Sequence, residues 1–353
     1  MPEDARNGPH GADDLPAVVI DSYNLELRGK EGFLGDRASK RAFAEILEDW
    51  RERFRQYEDD PLGDKPSEEI GKKKLEDVLL NGDPDGAGLV HGAIEDFAQE
   101  LAAVTRRFLR AKGWQDTQRI VVGGGFRQGR IGELVIGRTN GLLKGSGHEV
   151  KLTPIRHHPD HAGIIGSVQL VAPWTLSGYQ AIIGVDIGGS NIRAGVVELN
   201  LKSAPDFAKA KVVETQLWRH ADESPKRDQA VARLVAMLED LIGRAGKAKL
   251  RLAPFIGVGC PGVIDPDGSI DRGGQNLPGG NWESGRFNLP AEIARAIPQV
   301  GGHQTVVVMH NDAVVQGLSQ VPFMQDVERW GVLTIGTGLG NARFSNRKSS
   351  KDS

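Results

Sequence analysis

Cysteine is almost missing from this chain: Cys260 stands alone among 353 residues. A single thiol cannot close an intrachain disulfide or build a multi-cysteine zinc site. It lies in a Gly-Cys-Pro-Gly turn with no sequence-adjacent base, so its expected role is packing rather than nucleophilic catalysis. Long apolar runs are missing as well. No stretch of about 18 apolar residues occurs, which argues against a transmembrane helix. The polar residues 1–14 lack the apolar core of a signal peptide. Charge of one sign is scarce too. A net charge of −3, with 26% charged residues, leaves no basic field for nucleic acid or an anionic membrane. The expectation is a cytoplasmic, mixed α/β protein with one large core or two lobes.

What is present is a hydrophobic pattern that changes period repeatedly. Residues 17–20 read as a short strand. Residues 40–57 turn helical, with Phe43, Ile46, Leu47, Trp50 and Phe54 mostly three or four apart. Residues 58–74 are charged and carry two prolines, which predicts a surface excursion. A second helical stripe covers residues 89–111 through Ile94, Phe97, Leu101, Val104 and Phe108, and stops near Gly113. Strands are expected at 119–122, 255–259, 305–309 and on both sides of Gly188-Gly189. Helices are expected at 162–171, 228–245 and from Ala313, with a glycine-bent strand pair over 330–344. Residues 173–180 read as a connector, and residues 1–16 and 345–353 as polar tails. His157, His158 and His161 with Asp160 fit neither zinc-finger nor His-Glu-x-x-His spacing, so a solvated loop is expected there.

Glycine is where the sequence becomes specific. Ile182-Ile183-Gly184-Val185-Asp186-Ile187-Gly188-Gly189-Ser190-Asn191 reads as strand into glycine turn, followed by a further strand. Leu333-Thr334-Ile335-Gly336-Thr337-Gly338-Leu339-Gly340-Asn341 has the same form, a weak internal echo. Such a turn exposes several backbone N–H groups, and glycines let a phosphate approach and accept positive φ. Neither segment is a Walker loop, because no Gly-Lys-Ser/Thr opens a helix. One such turn alone is equally an ordinary hairpin. Two of them, with hydroxyls at Ser190 and Thr337 and a carboxylate at Asp186, point to a nucleotide. Asp186 would hold Mg²⁺ through water. Gly123, Gly124 and Gly125 end the strand at 119–122; a plain tight turn is one reading, and the resemblance described next implies that adenosine lies on this bare backbone.

These segments resemble motifs of the ROK family (repressors, open reading frames, sugar kinases). Asp186 to Arg193 is similar to its first phosphate motif, and Thr334 to Gly340 to its second. Asn276-Leu277-Pro278-Gly279-Gly280-Asn281-Trp282 resembles the family's Asn-Leu-Pro-Gly-Trp sugar loop with two residues inserted. Cys260-Pro261-Gly262-Val263-Ile264-Asp265 and Asn311-Asp312-Ala313 resemble two further motifs. The resemblance implies a two-lobed, actin/hexokinase-like (ribonuclease H-like) α/β fold. It also implies an ATP- and Mg²⁺-dependent kinase for a sugar or sugar-like polyol, and a possible homodimer. Asp312 would be the general base, with Asn276 and Asn311 on sugar hydroxyls; capping of the following helix is the alternative for Asp312, and turn or cap roles are the alternative for the two asparagines.

The order of the segments departs from the family. Residues 40–111, the Gly123-Gly124-Gly125 strand and His161-Ala162-Gly163-Ile164-Ile165-Gly166-Ser167 resemble its second half, yet they precede Ile182. Joining residue 345 to residue 17 restores the usual order, with 172–180 as the bridge. The chain therefore reads as circularly permuted. The expected lobes are 17–180 with 313–344, and 181–312. The family's Glu-x-Gly-His element has no counterpart: residues 25–39 offer Glu26, Glu31, Asp36 and Arg37 but no histidine. The zinc loop is also missing, and Asn341-Ala342 replaces a glycine pair. The phosphoryl-transfer half looks intact and the acceptor pocket altered. A sugar sensor without a DNA-binding module, or a polyphosphate-dependent kinase, are the other functions these residues admit.

Overall fold

The computed structural model describes residues 10–29, 32–125 and 129–347. In chain order they form β1 (Val18–Tyr23), a small hairpin β2 (Arg28–Gly29) and β3 (Gly32–Phe33), then α1 (Lys40–Phe54), α2 (Lys72–Asn81) and α3 (Pro84–Arg110). Next come β4 (Arg119–Gly123), α4 (Gly129–Gly145), β5 (Lys151–Pro154) and α5 (Pro159–Gly166). The middle holds β6 (Ala181–Ile187), β7 (Ile192–Glu198), β8 (Lys211–Trp218), α6 (Arg227–Lys247) and β9 (Leu252–Cys260). Then follow β10 (Val263–Ile264), β11 (Ile270–Arg272), α7 (Leu289–Ala296), β12 (Gln299–Val300), β13 (His303–Gln304) and β14 (Val306–Asn311). The described chain closes with α8 (Asp312–Leu318), β15 (Arg329–Ile335) and β16 (Leu339–Asn346).

Contacts divide this α/β chain into two compact units. Unit 1 holds Arg156–Val332 with the described residues up to Asn24 and from Asn341; unit 2 holds Leu25–Ile155 and Leu333–Gly340. Residues 17–24, 156–180, 313–332 and 341–344, assigned from sequence to the larger lobe, fall in unit 1.

In unit 1 one five-stranded sheet has the order β14-β9-β6-β7-β8. β6 is antiparallel to β7, and β7 to β8, whereas β9 is parallel to both β6 and β14. All seven residues of β6 are buried, the reading of a central strand covered on both faces. On one face α6 contributes Leu234, Leu238 and Leu241 to a core with Ile183, Val185 and Ile256. On the other, α5 lies unusually close. A Cβ on Gly166 would fall 1.7 Å from Val315 O, and one on Gly184 2.5 Å from Ile164 O. Small residues are therefore obligatory where this helix meets sheet and neighbour.

The other five-stranded sheet has the order β1-β16-β15-β4-β5. β1 is antiparallel to β16, and β4 is parallel to β5. Numbered along the chain from β6, the first sheet reads 3-2-1-4-5. Numbered from β15 and passing from β16 to β1, the second reads the same.

Unit 2 is built around α3, whose buried Val90, Ile94, Phe97, Leu101 and Phe108 pack with residues of α1, α2, α4, β4 and β5. Asp83 caps α3, its side chain accepting from Gly86 N at 2.6 Å, and Pro84 occupies the first turn, so the helix starts five residues before the apolar stripe begins. The excursion at 58–74 is tied down by a buried arginine. Arg51 donates to Asp60 Oδ2 and Glu48 Oε2 at 2.8 Å, to Ser67 Oγ at 2.9 Å and to Gly63 O at 2.6 Å.

Several expectations change. α2 and α4 are helices the sequence pattern did not mark, and the helix expected at 162–171 starts at Pro159 and ends in a 3-10 turn at Ser167–Leu170. Part of each polar tail is structured. Gly11 N donates to Met309 O at 3.0 Å, Met309 N donates to His10 Nδ1 at 3.1 Å, and Arg347 N donates to Ala17 O at 3.2 Å. The histidine segment is not a solvated loop: His158 caps α5 by accepting from Asp160 N, and His157 packs 5.7 Å from the Phe323 ring. No helix among the described residues is long and apolar enough to cross a membrane.

Candidate functional site

In unit 1 the parallel strands bring two carboxylates to one end of the sheet. Asp186 pairs in register with Gly259, and Gly259 with His310, so the ends of β6, β9 and β14 lie level. Asp312 follows β14 as the first residue of α8. The cap of that helix is Asn311, whose Oδ1 accepts from Ala313 N at 3.0 Å and Val314 N at 3.3 Å. The capping alternative for Asp312 therefore does not hold. Asn311 also donates from Nδ2 to Gly262 O at 2.9 Å and is buried. Its amide, expected on a sugar hydroxyl, is turned to the backbone and fixes the start of α8 instead.

Burial, followed by the nearby Asp186 charge, pushes the half-buried Asp312 carboxyl up to about 7, against weaker pull from the N–H groups of Ala313 and Asp312. Burial raises Asp186 too; Arg193 opposes this, Asp160 adds to it, and Gln316 lowers it slightly. Arg193 Nη1 stands 3.7 Å from Asp186 Oδ2, while its Nη2 holds Asp160 Oδ1 at 2.8 Å. Asp186 Oδ1 is buried without a hydrogen-bond partner in the described structure. Such an oxygen suits a water of a hydrated magnesium ion, which needs only one or two protein carboxylates. No group of three or more His, Cys, Asp or Glu among the described residues could hold a metal directly. Cys260 is buried, and burial together with Asp312 and Asp186 pushes its thiol well up, which suits packing rather than attack.

The turn after β6 is pinned at Gly188, whose N–H donates to Asn191 O at 2.8 Å and whose carbonyl faces His220 Nε2 at 2.9 Å. Gly188, Gly189, Ser190 and Asn191 are all half-buried. Asn276 is exposed, at the start of a loop built on Trp282. That indole is buried and donates from Nε1 to Pro278 O at 2.7 Å. Gly279 has φ 76°, and a Cβ there would fall 2.1 Å from Arg227 N, so this glycine lets the loop lie on the start of α6.

Unit 2 carries the other expected segments. Gly336 N donates to Gly338 O at 3.0 Å, and Lys40 N, at the start of α1, donates to Gly336 O at 2.9 Å. Thr337 is exposed, and Gly340 half-buried. Gly124 has φ 81° and lies against β15, where a Cβ would fall 2.3 Å from Ile335 O; Gly123 is buried beside it and Gly125 exposed. Positive φ was the expected use of these glycines, but among those named in the three segments only Gly124 adopts it. Gly188 and Gly336 meet nothing closer than 3.6 Å, and Gly338 nothing within 4 Å. The fold leaves bare backbone at three positions in two turns where it would accept a side chain.

Three residues named in the sequence, Asp160, Gly163 and Arg193, prove to be neighbours of Asp186, a role the sequence did not assign them. Arg193 and Asp160 are joined through β7 and α5, and a Cβ on Gly163 would fall 2.5 Å from Asp186 Cγ. The only signal was Gly163 inside a run of small residues, which predicted tight packing but not its partner.

No family model matches the chain, and no curated protein matches it. Among solved structures it is similar to the crystal structure of an exopolyphosphatase-like protein, at 15% identity and a TM-score of 0.29, over 70% of this chain and 86% of that one.

Proposed function

We propose that this chain is a phosphotransferase that moves the γ-phosphoryl group of a nucleoside triphosphate to a hydroxyl of a sugar or sugar-like polyol, in a circularly permuted fold of the actin/hexokinase type related to ROK kinases. The observation that carries the reading is Asp312: a carboxyl at the end of a parallel strand, raised to about 7 and released from capping by Asn311. A base poised near neutral pH accepts a proton and is regenerated at little cost. The acceptor hydroxyl loses its proton to Asp312 as its oxygen bonds to the γ-phosphorus; the bond to the β–γ bridging oxygen breaks and the nucleoside diphosphate leaves. Magnesium, bound with the nucleotide, supplies charge neutralisation. Asp186 would hold it through water, and Arg193 would keep Asp186 ionised. The open backbone of Gly188–Asn191 and Gly336–Gly340 would each receive phosphate oxygens, and Gly123–Gly125 the adenosine.

The sheet orders support the fold and its permutation: both read 3-2-1-4-5, and the second does so only when β1 is counted after β16. The free amide of exposed Asn276 is a candidate acceptor contact. The test is ADP release from ATP and Mg²⁺ across hexoses, amino sugars, pentoses and inositols, with Asp312→Asn beside the parent protein. Turnover with one acceptor that vanishes in the variant sustains the proposal. Nucleotide binding with no turnover on any acceptor would make the chain a sensor.

A further inference from the structure

Unit 2 contains a cavity of about 410 Å³ that none of the segments above lines. Its wall is apolar at Leu34, Ala103 and Val104, with bare backbone at Gly29. Four arginines complete its lining: Arg37, Arg106, Arg107 and Arg110. Arg37 is neutralised by Glu100, at 2.6 Å. The other three have no hydrogen-bond or ion-pair partner among the described residues. Arg107 and Arg110 lie in the last turn of α3, where cations offset the negative helix end. That end is worth about half a charge, too little to account for three guanidiniums. The surplus stands out in a chain whose net charge is −3.

We infer that this cavity binds a phosphate monoester carried on a carbon skeleton. Guanidinium forks match the planar pairs of phosphate oxygens and bind them bidentately, which favours a dianionic group over a single carboxylate. The apolar wall has no use for inorganic phosphate but covers a carbon body. Its volume falls within the range of small-molecule sites, roughly 300–1,000 Å³. A long polyanion would instead need a basic track beyond these residues.

The site also has a route to the rest of unit 2. Leu34 and Arg37 belong to the 3-10 turn Leu34–Ala38, which leads through the cap Ser39 into α1. In that turn a Cβ on Gly35 would lie 3.2 Å from Leu339 Cβ, and Lys40 N holds Gly336 O. A ligand drawn against Leu34 and Arg37 therefore bears on the turn between β15 and β16.

The experiment is calorimetric titration of the full chain with phenyl phosphate, inorganic phosphate, phenol and tripolyphosphate, repeated on the Arg107→Gln/Arg110→Gln double variant. Both side chains are exposed, so the double variant should keep its unfolding temperature, which is checked first. Phenyl phosphate should bind the parent about tenfold or more tightly than inorganic phosphate, and lose about tenfold for each bidentate contact removed. Hydrogen exchange should slow across residues 103–110 on binding. Equal binding of phenyl phosphate and inorganic phosphate, tighter binding of tripolyphosphate, or unchanged affinity in the variant would each overturn the inference. Asp312→Asn should bind phenyl phosphate as the parent does, so this outcome is independent of the phosphotransferase reading.

Discussion

Replacing Asp312 by Asn should make the protein more stable and nearly inactive. Asn keeps the shape of the protonated acid but cannot ionise. In the native chain the Asp312 carboxyl is raised from its ordinary 3.8 to about 7, first by burial and then by the Asp186 charge. The native state thus holds this proton more tightly than the unfolded chain, so stability falls as pH rises from about 4 to 7. Each pKa unit corresponds to about 1.4 kcal/mol, which sets a ceiling of about 4 kcal/mol at pH 8. Partial solvent access reduces this to about 2 kcal/mol. Denaturant unfolding of both proteins across pH 4 to 8 should show curves that meet near pH 4 and diverge toward pH 8, with the variant above. Under the proposed chemistry, turnover falls about 10²–10⁴-fold in parallel. Stabilities that track each other across the whole range would refute the raised carboxyl. Undiminished turnover would refute the base.

The turn glycines separate fold from function. Gly188→Ala and Gly338→Ala meet no close atom and no positive φ, so each should change stability by less than about 0.5 kcal/mol while lowering nucleotide affinity; equal affinity would remove the phosphate role. Gly163→Ala drives a methyl into Asp186 and should cost about 1–3 kcal/mol, read by thermal unfolding, with loss of whatever activity depends on Asp186. Asn311→Ala removes a helix cap and the partner of Gly262 O, and should cost about 2 kcal/mol; a smaller loss would mean that α8 is held by packing alone.

Sequence legibility followed the range of the interactions. β6 and β14 were readable because continuous apolar runs announce buried strands, and Asp186 and Asp312 were readable as residues those strands deliver. α4 was not, because Gly129, Gly132, Gly137 and Gly141 depress helix propensity; burial of Ile131, Val135 and Leu143 overrides it. The ordering of residues 10–14 was invisible because the bond between His310 and Ala12 O spans 298 positions. The pairing of Arg193 was hidden for the same reason: its partner Asp160 is 33 positions away on another element. Sequence left Asn311 between a cap and a sugar contact because an amide that caps a helix and one that grips a hydroxyl look identical as letters.

The pairing of β1 with β16 has a consequence for how the chain is made. Asp21 meets Arg343 across 322 residues, so β1 is made long before the strand it pairs with. At ribosomal rates of about 5–20 residues per second, that wait lasts roughly 15–60 s. Throughout it β1 has no β16 to pair with and, with Val18 and Ile20 uncovered, is open to strands of other nascent chains. Soluble yield should therefore depend on chaperone supply during translation more than on the stability of the finished protein.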